Sequence, residues 1–158
     1  MNRRHLATSA LGLASAALVL ATPRAAEAHK SGIVTSRSGF PMQETIGRIT
    51  TDIAAKKIKL FDVIDQAKLA QDAGIAINPS TLIVFGNPPL GTQFLSANAL
   101  SGLDWPVRLL VFEDAKGQVW TAYTDFAWIA RRHGISNRGA QFKMAAEVVR
   151  SIVSSTRA

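Results

Sequence analysis

The first 28 residues decide which part of the chain is left to fold, because they carry the three parts of an export signal in order. Asn2-Arg3-Arg4-His5 is a basic start, and residues 6–21 carry no charge. This apolar run is shorter than the roughly 20 residues that a membrane-spanning helix needs. Ala26-Glu27-Ala28 then offers the small-x-small pattern of a signal peptidase site. We expect cleavage after Ala28, a mature chain that begins at His29, and no stable membrane anchor.

Two export routes fit this signal. Arg3-Arg4, the Ala- and Gly-rich apolar run and Arg24 near the cleavage site resemble a twin-arginine signal. A general secretory signal also begins with basic residues. Because both routes leave the cytoplasm and the segment is rich in alanine, we expect a bacterial protein that is periplasmic or secreted.

Residues 29–158 are enough for one domain that buries a proper core. The sequence contains no cysteine, which excludes disulfides, thiolate metal sites and a catalytic cysteine. We find no internal repeat and no linker long enough to divide this part of the chain. The prediction is a single domain held together by packing.

The charge of the mature chain is moderate and scattered. Loss of Arg3, Arg4, Arg24 and Glu27 with the signal leaves 15 basic and 10 acidic residues, a net charge of about +5. The only basic clusters, 56–59 and 131–132, are not interleaved with aromatic side chains as a single-strand-binding surface would be. We therefore expect no nucleic-acid partner.

Runs of apolar and β-branched residues predict five strands. The run Thr81 to Phe85 is apolar almost throughout and is bounded by turn residues, which favours a central place in the sheet. Residues 114–117, Asp-Ala-Lys-Gly, form a turn between the last two runs and predict a hairpin. The five predicted strands cover 31–36, 59–64, 81–85, 106–113 and 118–124.

Helical spacing and capping residues predict the rest. An amphipathic helix begins at Pro41 and runs to about Lys57. Thr124-Asp125 caps a helix that Gly134 ends, and further helices cover 67–73, 90–97 and 138–154. One clear hairpin and few βαβ crossovers predict an α+β domain with a mainly antiparallel sheet and helices on one face.

Several motifs resemble the domain of unknown function 302 family over roughly residues 32–153. They are Val84-Phe85-Gly86-Asn87-Pro88-Pro89-Leu90-Gly91-Thr92, Asp104-Trp105-Pro106, Glu113-Asp114-Ala115-Lys116-Gly117-Gln118-Val119-Trp120 with Tyr123, and Arg131-Arg132-His133-Gly134. The resemblance implies a compact α+β fold that is often dimeric, and it implies no particular reaction. This chain has Trp105 where leucine is more usual in the family.

A Gly- and Pro-rich loop behind the third strand is the first candidate site. Its backbone N–H groups at a helix start could hold an anion or carboxylate, helped by Asn87 and Thr92. No phosphate-loop lysine follows, which disfavours a nucleotide. Alternatively, Gly86, Gly91 and the prolines only shape a tight connection that Asn87 caps.

Polar residues on the hairpin and the following helix are the second candidate. If Arg108 and Tyr123 face the same side, they could line a pocket in which His133 acts as acid, base or ligand. Glu113 and Asp125 belong to the same group. Alternatively, Arg131, Arg132 and His133 only complement the dipole of a helix end.

A third candidate is His29, whose α-amine and imidazole would hold copper after cleavage, with His133 as the only other histidine left. No motif predicts any other cofactor. The aromatic residues around the hairpin, Trp105, Trp120, Tyr123, Phe126 and Trp128, are expected to be mostly core, and any exposed one would mark a ligand groove or a dimer face.

Four functions remain open from the sequence. A binding module for a small molecule or anion comes first, because the chain offers a pocket-forming loop and a polar hairpin but no convincing catalytic group. A small enzyme with a Tyr/His/Arg site is second, a copper or other metal carrier is third, and a purely structural homodimer is fourth.

Overall fold

A computed structural model describes residues 31–158. The predicted export signal and His29 lie outside the described residues. The described part contains one five-stranded sheet in the order β1-β5-β4-β3-β2, and all four pairings are antiparallel. The predicted α+β class with an antiparallel sheet is thereby confirmed. The strands are β1 (Ile33–Arg37), β2 (Lys59–Asp65), β3 (Ser80–Gly86), β4 (Val107–Glu113) and β5 (Val119–Thr124).

The helices match the predicted positions to within one or two residues. One short element was not predicted, the 3-10 helix η1 (Ala99–Leu103). The α-helices of the described residues are α1 (Met42–Ala55), α2 (Gln66–Asp72), α3 (Pro88–Ala97), α4 (Phe126–Arg132) and α5 (Gly139–Ser154).

Side-chain caps explain where three of these helices begin. The Asp125 carboxylate accepts the backbone N–H of Trp128 at 2.8 Å and starts α4. The Asp65 carboxylate starts α2 in the same way, and the side-chain oxygen of Asn87 starts α3. Such caps satisfy backbone donors that have no partner within the helix. Gly134, with φ of 61°, follows the end of α4 in the left-handed conformation that glycine adopts without strain.

The core lies between one face of the sheet and the helices. Alternate residues of the strands are buried there, with Ile83 and Leu109 fully inaccessible and Phe85 1% exposed. Helices α1 and α5 supply the opposing layer through residues such as Ile49 and Ile152. Each such side chain contributes about 1.5–3 kcal/mol by leaving water. The strand β3 is interior, as expected from its apolar run, but the middle strand of the sheet is β4.

The segment from β2 to the start of β3 is the least covered part of the described chain. No residue of α2 is buried, and most of β2 is exposed. Large apolar side chains project from this segment into solvent: Leu60, Phe61, Val63, Leu69, Ile75 and Ile77. Among residues 31–158, no helix is both long and apolar enough to cross a membrane.

Candidate functional site

A largely apolar cavity of about 360 Å³ lies where the C-terminal end of β3 meets α3 and α5. Its volume falls within the range of about 300–1,000 Å³ typical of small-molecule sites. Three of the sequence candidates, Gly86, Asn87 and Gly91, are in its wall. The other lining residues are Lys56, Ile58, Phe85, Leu90, Phe94, Trp105, Val107, Phe126, Met144, Ala145, Val148 and Val149.

The two glycines of the loop make room for the indole ring of Trp105. A Cβ added at Gly86 would lie 3.1 Å from Nε1 of Trp105, and one added at Gly91 would overlap that nitrogen. A ring of this size therefore fits here only because both neighbours lack side chains. Most of the five aromatic residues around the hairpin were expected to be core. Trp105 is half-buried and forms part of the cavity wall.

Among the described residues that line the cavity, only three side chains carry polar groups. Asn87 is exposed, and its side-chain oxygen lies 3.4 Å from the backbone nitrogen of Leu90, which donates to it. The ammonium of Lys56 lies 2.6 Å from each carboxylate oxygen of Asp52. The third polar group is the indole N–H of Trp105. The remaining side chains of the wall are apolar, so the cavity favours an apolar ligand.

The donors expected for an anion at the start of α3 are already used within the loop. Pro88 and Pro89 have no N–H, and the N–H groups of Leu90 and Gly91 donate to the carbonyl oxygen of Asn87 at 3.1 and 2.8 Å. Thr92 lies outside the cavity wall, and its hydroxyl donates to the Pro88 carbonyl at 2.7 Å. In the described structure this loop shapes the cavity and offers few donors to a ligand.

Arg108 and Tyr123 lie on opposite faces of the sheet. Tyr123 pairs with Leu109 and is buried in the core, whereas Arg108, the residue before Leu109, is exposed on the other face. Burial raises the pKa of the Tyr123 hydroxyl above its ordinary value of 10.0. The structure therefore does not bring Tyr123, Arg108 and His133 into one cleft, which was the arrangement that would have favoured an enzyme.

Arg108 and His133 do meet, at a carboxylate that the sequence analysis did not single out as a site. The Asp104 side chain is 3% exposed, and its Oδ2 lies 2.6 Å from Nε2 of His133. Arg132 lies 3.2 Å from the same oxygen, and Arg108 lies 3.4 Å from Oδ1. Arg108 also donates to the Leu103 carbonyl at 2.6 Å. This cluster, Asp104 with its three basic partners, ties η1 to the end of α4.

The Asp104 cluster does not contain a nucleophile that is hydrogen-bonded to His133. The side chain of Asp125 lies outside this cluster and caps α4. Glu113 extends β4, where its N–H donates to the Pro79 carbonyl at 3.0 Å. Within residues 31–158, no group of three or more His, Asp or Glu side chains could hold a metal ion. The sequence signal for the cluster was the Asp104-Trp105-Pro106 motif, whose aspartate lies just after a 3-10 helix that has no clear periodicity.

An antiparallel five-stranded sheet covered by helices, with an apolar cavity at the end of β3, defines the class as a small α+β domain. The profile of the family described as Domain of unknown function DUF302 matches residues 34–154. Because this match covers most of the chain, the chain belongs to the DUF302 family, and the resemblance noted in the sequence is confirmed.

A solved structure shows the same fold. The crystal structure of a conserved DUF302 protein from Bacillus stearothermophilus superposes with a TM-score of 0.73 and 16% sequence identity. The superposition covers 80% of this chain and 99% of that one. At this identity the likeness concerns the fold alone.

Longer curated relatives match at higher identity. The chain is 36% identical over 130 residues to the fluoride-specific ion channel FluC 1 of Brucella suis biovar 1 (strain 1330), covering 82% of this chain and 51% of that protein. The fluoride-specific ion channel FluC 2 of Brucella melitensis biotype 1 is equally similar, and 48% of it is covered. This chain therefore spans about half the length of these relatives.

Proposed function

We propose that this protein is a binding module that holds a small, mainly apolar molecule in the cavity between β3, α3 and α5. The observation that carries the proposal is the composition of the cavity wall. Of the 15 described residues that line the cavity, 12 are apolar or glycine and three have polar side chains. Burial of apolar surface from both partners would supply most of the affinity. A catalytic role is less well supported, because Tyr123 and His133 lie in separate environments.

The proposal is tested by titrating the mature protein with toluene and following its amide signals by NMR. We expect the largest shifts at residues that line the cavity, such as Leu90 and Ala145. Ala145→Leu extends a side chain into the cavity and is expected to abolish these shifts. Ala140→Leu, on an exposed position of the same helix, is the matched control and should bind toluene like the wild type.

Two results would contradict this function. Toluene that shifts no cavity-lining signal would show that the cavity does not accept apolar molecules. Equal binding by the wild type and a folded Ala145→Leu variant would place the ligand elsewhere on the protein.

The protein is further proposed to act outside the cytoplasm. Support comes from the basic start, the apolar run and the Ala26-Glu27-Ala28 pattern of the sequence. Expression of the full chain in a bacterium, followed by mass spectrometry of the periplasmic fraction, should give a mature chain that begins at His29. A cytoplasmic chain that retains Met1 or Asn2 would contradict export.

A second candidate function rests on the relatives. Two of them are named fluoride-specific ion channels and are about twice as long as the region that matches this chain. This suggests that the domain accompanies a fluoride channel as an accessory module. Deletion of the chain from its host should then increase sensitivity to fluoride, and unchanged sensitivity would count against this function.

A further inference from the structure

The polar side chains of the cavity wall are mainly hydrogen-bond donors. The indole N–H of Trp105 and the ammonium of Lys56 are donors only. Asn87 has both kinds of group, an oxygen that accepts from Leu90 at 3.4 Å and an NH₂ group that carries two donors. A ligand that complements this wall therefore presents a hydrogen-bond acceptor.

The acceptor is expected to be neutral. Lys56 is the only cation among the lining residues that the structure describes. Its ammonium lies 2.6 Å from both carboxylate oxygens of Asp52, so its charge is already matched. A carboxylate that enters apolar surroundings loses its hydration, and it needs an unpaired cation to compensate. Among the lining side chains no unpaired cation is present, which disfavours the anionic ligand considered from the sequence.

Trp105 is the donor best placed to meet such an acceptor. Its Nε1 lies against Gly86 and Gly91, which both line the cavity. Nε1 of Trp120 donates to Asp114, whereas Nε1 of Trp105 has no acceptor among residues 31–158. Asn87, by contrast, is exposed at the rim.

From these contacts we infer that the cavity takes a neutral, mainly apolar molecule with a carbonyl oxygen, to which the indole N–H of Trp105 donates a hydrogen bond. The inference rests on the proposed binding function and names the class of its ligand. Phe85, Phe94 and Phe126 also face the cavity, and aromatic rings pack well against one another. An aromatic ketone is therefore the natural probe.

The experiment compares three probes of similar size on the mature wild-type protein by NMR titration. Acetophenone has the carbonyl group, ethylbenzene has a CH₂ group in its place, and benzoate is an anion. We expect acetophenone to bind about threefold to tenfold more tightly than ethylbenzene, the effect of one net hydrogen bond. Benzoate is expected to bind more weakly than both. The indole N–H signal of Trp105 is identified as the one missing from the NMR spectrum of Trp105→Phe. Acetophenone should shift this signal in the wild type.

Trp105→Phe separates the hydrogen bond from the packing, because it keeps an aromatic ring and removes the N–H. In this variant the preference for acetophenone over ethylbenzene should disappear while ethylbenzene still binds. Trp128→Phe, outside the cavity wall, is the control that should keep the preference.

Each outcome bears on one proposal. Equal binding of acetophenone and ethylbenzene by the wild type would overturn the carbonyl inference and leave the binding function intact. Tighter binding of benzoate would overturn the inference in favour of an anion. Failure of all three probes to reach the cavity would overturn the binding function itself.

Discussion

The indole ring of Trp105 lies over the α-carbon of Gly91, so the side chain allowed at one position depends on the other. Gly91 is within α3 and its φ is not positive, so alanine would fit the backbone at this position. The restriction is one of space alone, because an added Cβ would overlap Nε1 of Trp105. A glycine at a helical position with free space around it only weakens the helix relative to alanine.

Gly91→Ala and Gly47→Ala should therefore change stability in opposite directions. Gly47 lies in α1 with no atom within 4 Å of an added Cβ, so alanine should raise the free energy of unfolding by about 0.5–1 kcal/mol. At Gly91 the displaced indole ring should lower it by about 1–3 kcal/mol. Urea denaturation of both variants measures the difference. If Gly91→Ala is as stable as Gly47→Ala, the close packing of Trp105 on Gly91 is wrong.

The sequence identified some site residues without showing what they contact. Gly86 and Gly91 were noticed as loop glycines, but the ring that needs them follows η1, which has too few residues for a periodic signal. Arg108 and Tyr123 were grouped because both are polar residues of one hairpin. Which of them faces the core depends on which alternate residues of each strand point inward. Both strands carry apolar residues on both faces, so the pattern does not identify the inner face.

The turn between β4 and β5 depends on one carboxylate. Asp114 accepts hydrogen bonds from Nε1 of Trp120 at 2.9 Å and from the backbone N–H groups of Lys116 and Gln118 at 2.8 and 3.0 Å. These bonds lower the pKa of Asp114 below its ordinary value of 3.8. The bond from Trp120 has the largest effect, and the two backbone bonds add to it. The ionised form is thus preferred in the folded hairpin.

This preference predicts how the turn responds to acid. Because the folded pKa is lower than the unfolded one, the contribution of Asp114 is present above the unfolded pKa and is lost as the pH falls through the folded pKa. Asp114→Asn should lower the thermal midpoint at neutral pH and approach the wild type as the pH falls through the folded pKa, which lies below 3.8. Trp120→Phe removes the indole N–H that donates to Asp114, and it should also lower the thermal midpoint at neutral pH. A constant difference between wild type and Asp114→Asn at every pH would contradict this account.

Elements were more predictable than the site they form. Caps such as Asp125 and stops such as Gly134 are local signals, and they placed α4 correctly. The cavity instead combines Lys56 after α1, the end of β3, the start of α3, Trp105 and one face of α5. These pieces are far apart in the sequence, so no local pattern indicated that they enclose a space.

At the scale of the whole molecule, one edge of the sheet exposes apolar side chains to solvent. β2 is an edge strand, and Leu60, Phe61 and Val63 are each about 40% exposed on it. An edge strand offers unpaired backbone groups, and apolar side chains on it favour contact with another chain. The homodimer expected from the family resemblance stays a prediction, and this edge is where we expect its two copies to meet.

Light scattering during size-exclusion chromatography measures the mass of the mature protein. We expect the mass of a dimer for the wild type and of a monomer for Val63→Lys, because a charge on the edge opposes pairing. Thr35→Lys places the same charge on the opposite edge strand, β1, and should leave the dimer intact. A monomeric wild type, or a dimeric Val63→Lys, would contradict the expected contact.

The pairing of β1 with β5 affects how the protein is made. The ribosome releases β1 first among the five strands, and its partner, residues 119–124, emerges only after the other three strands. Ser38, just after β1, also donates to the carbonyl of Thr156 at 3.2 Å. β1 therefore cannot join the sheet until β5 has emerged, and its backbone groups stay unpaired with a strand until then. This delay gives the cell's chaperones an interval in which to bind the exposed first strand.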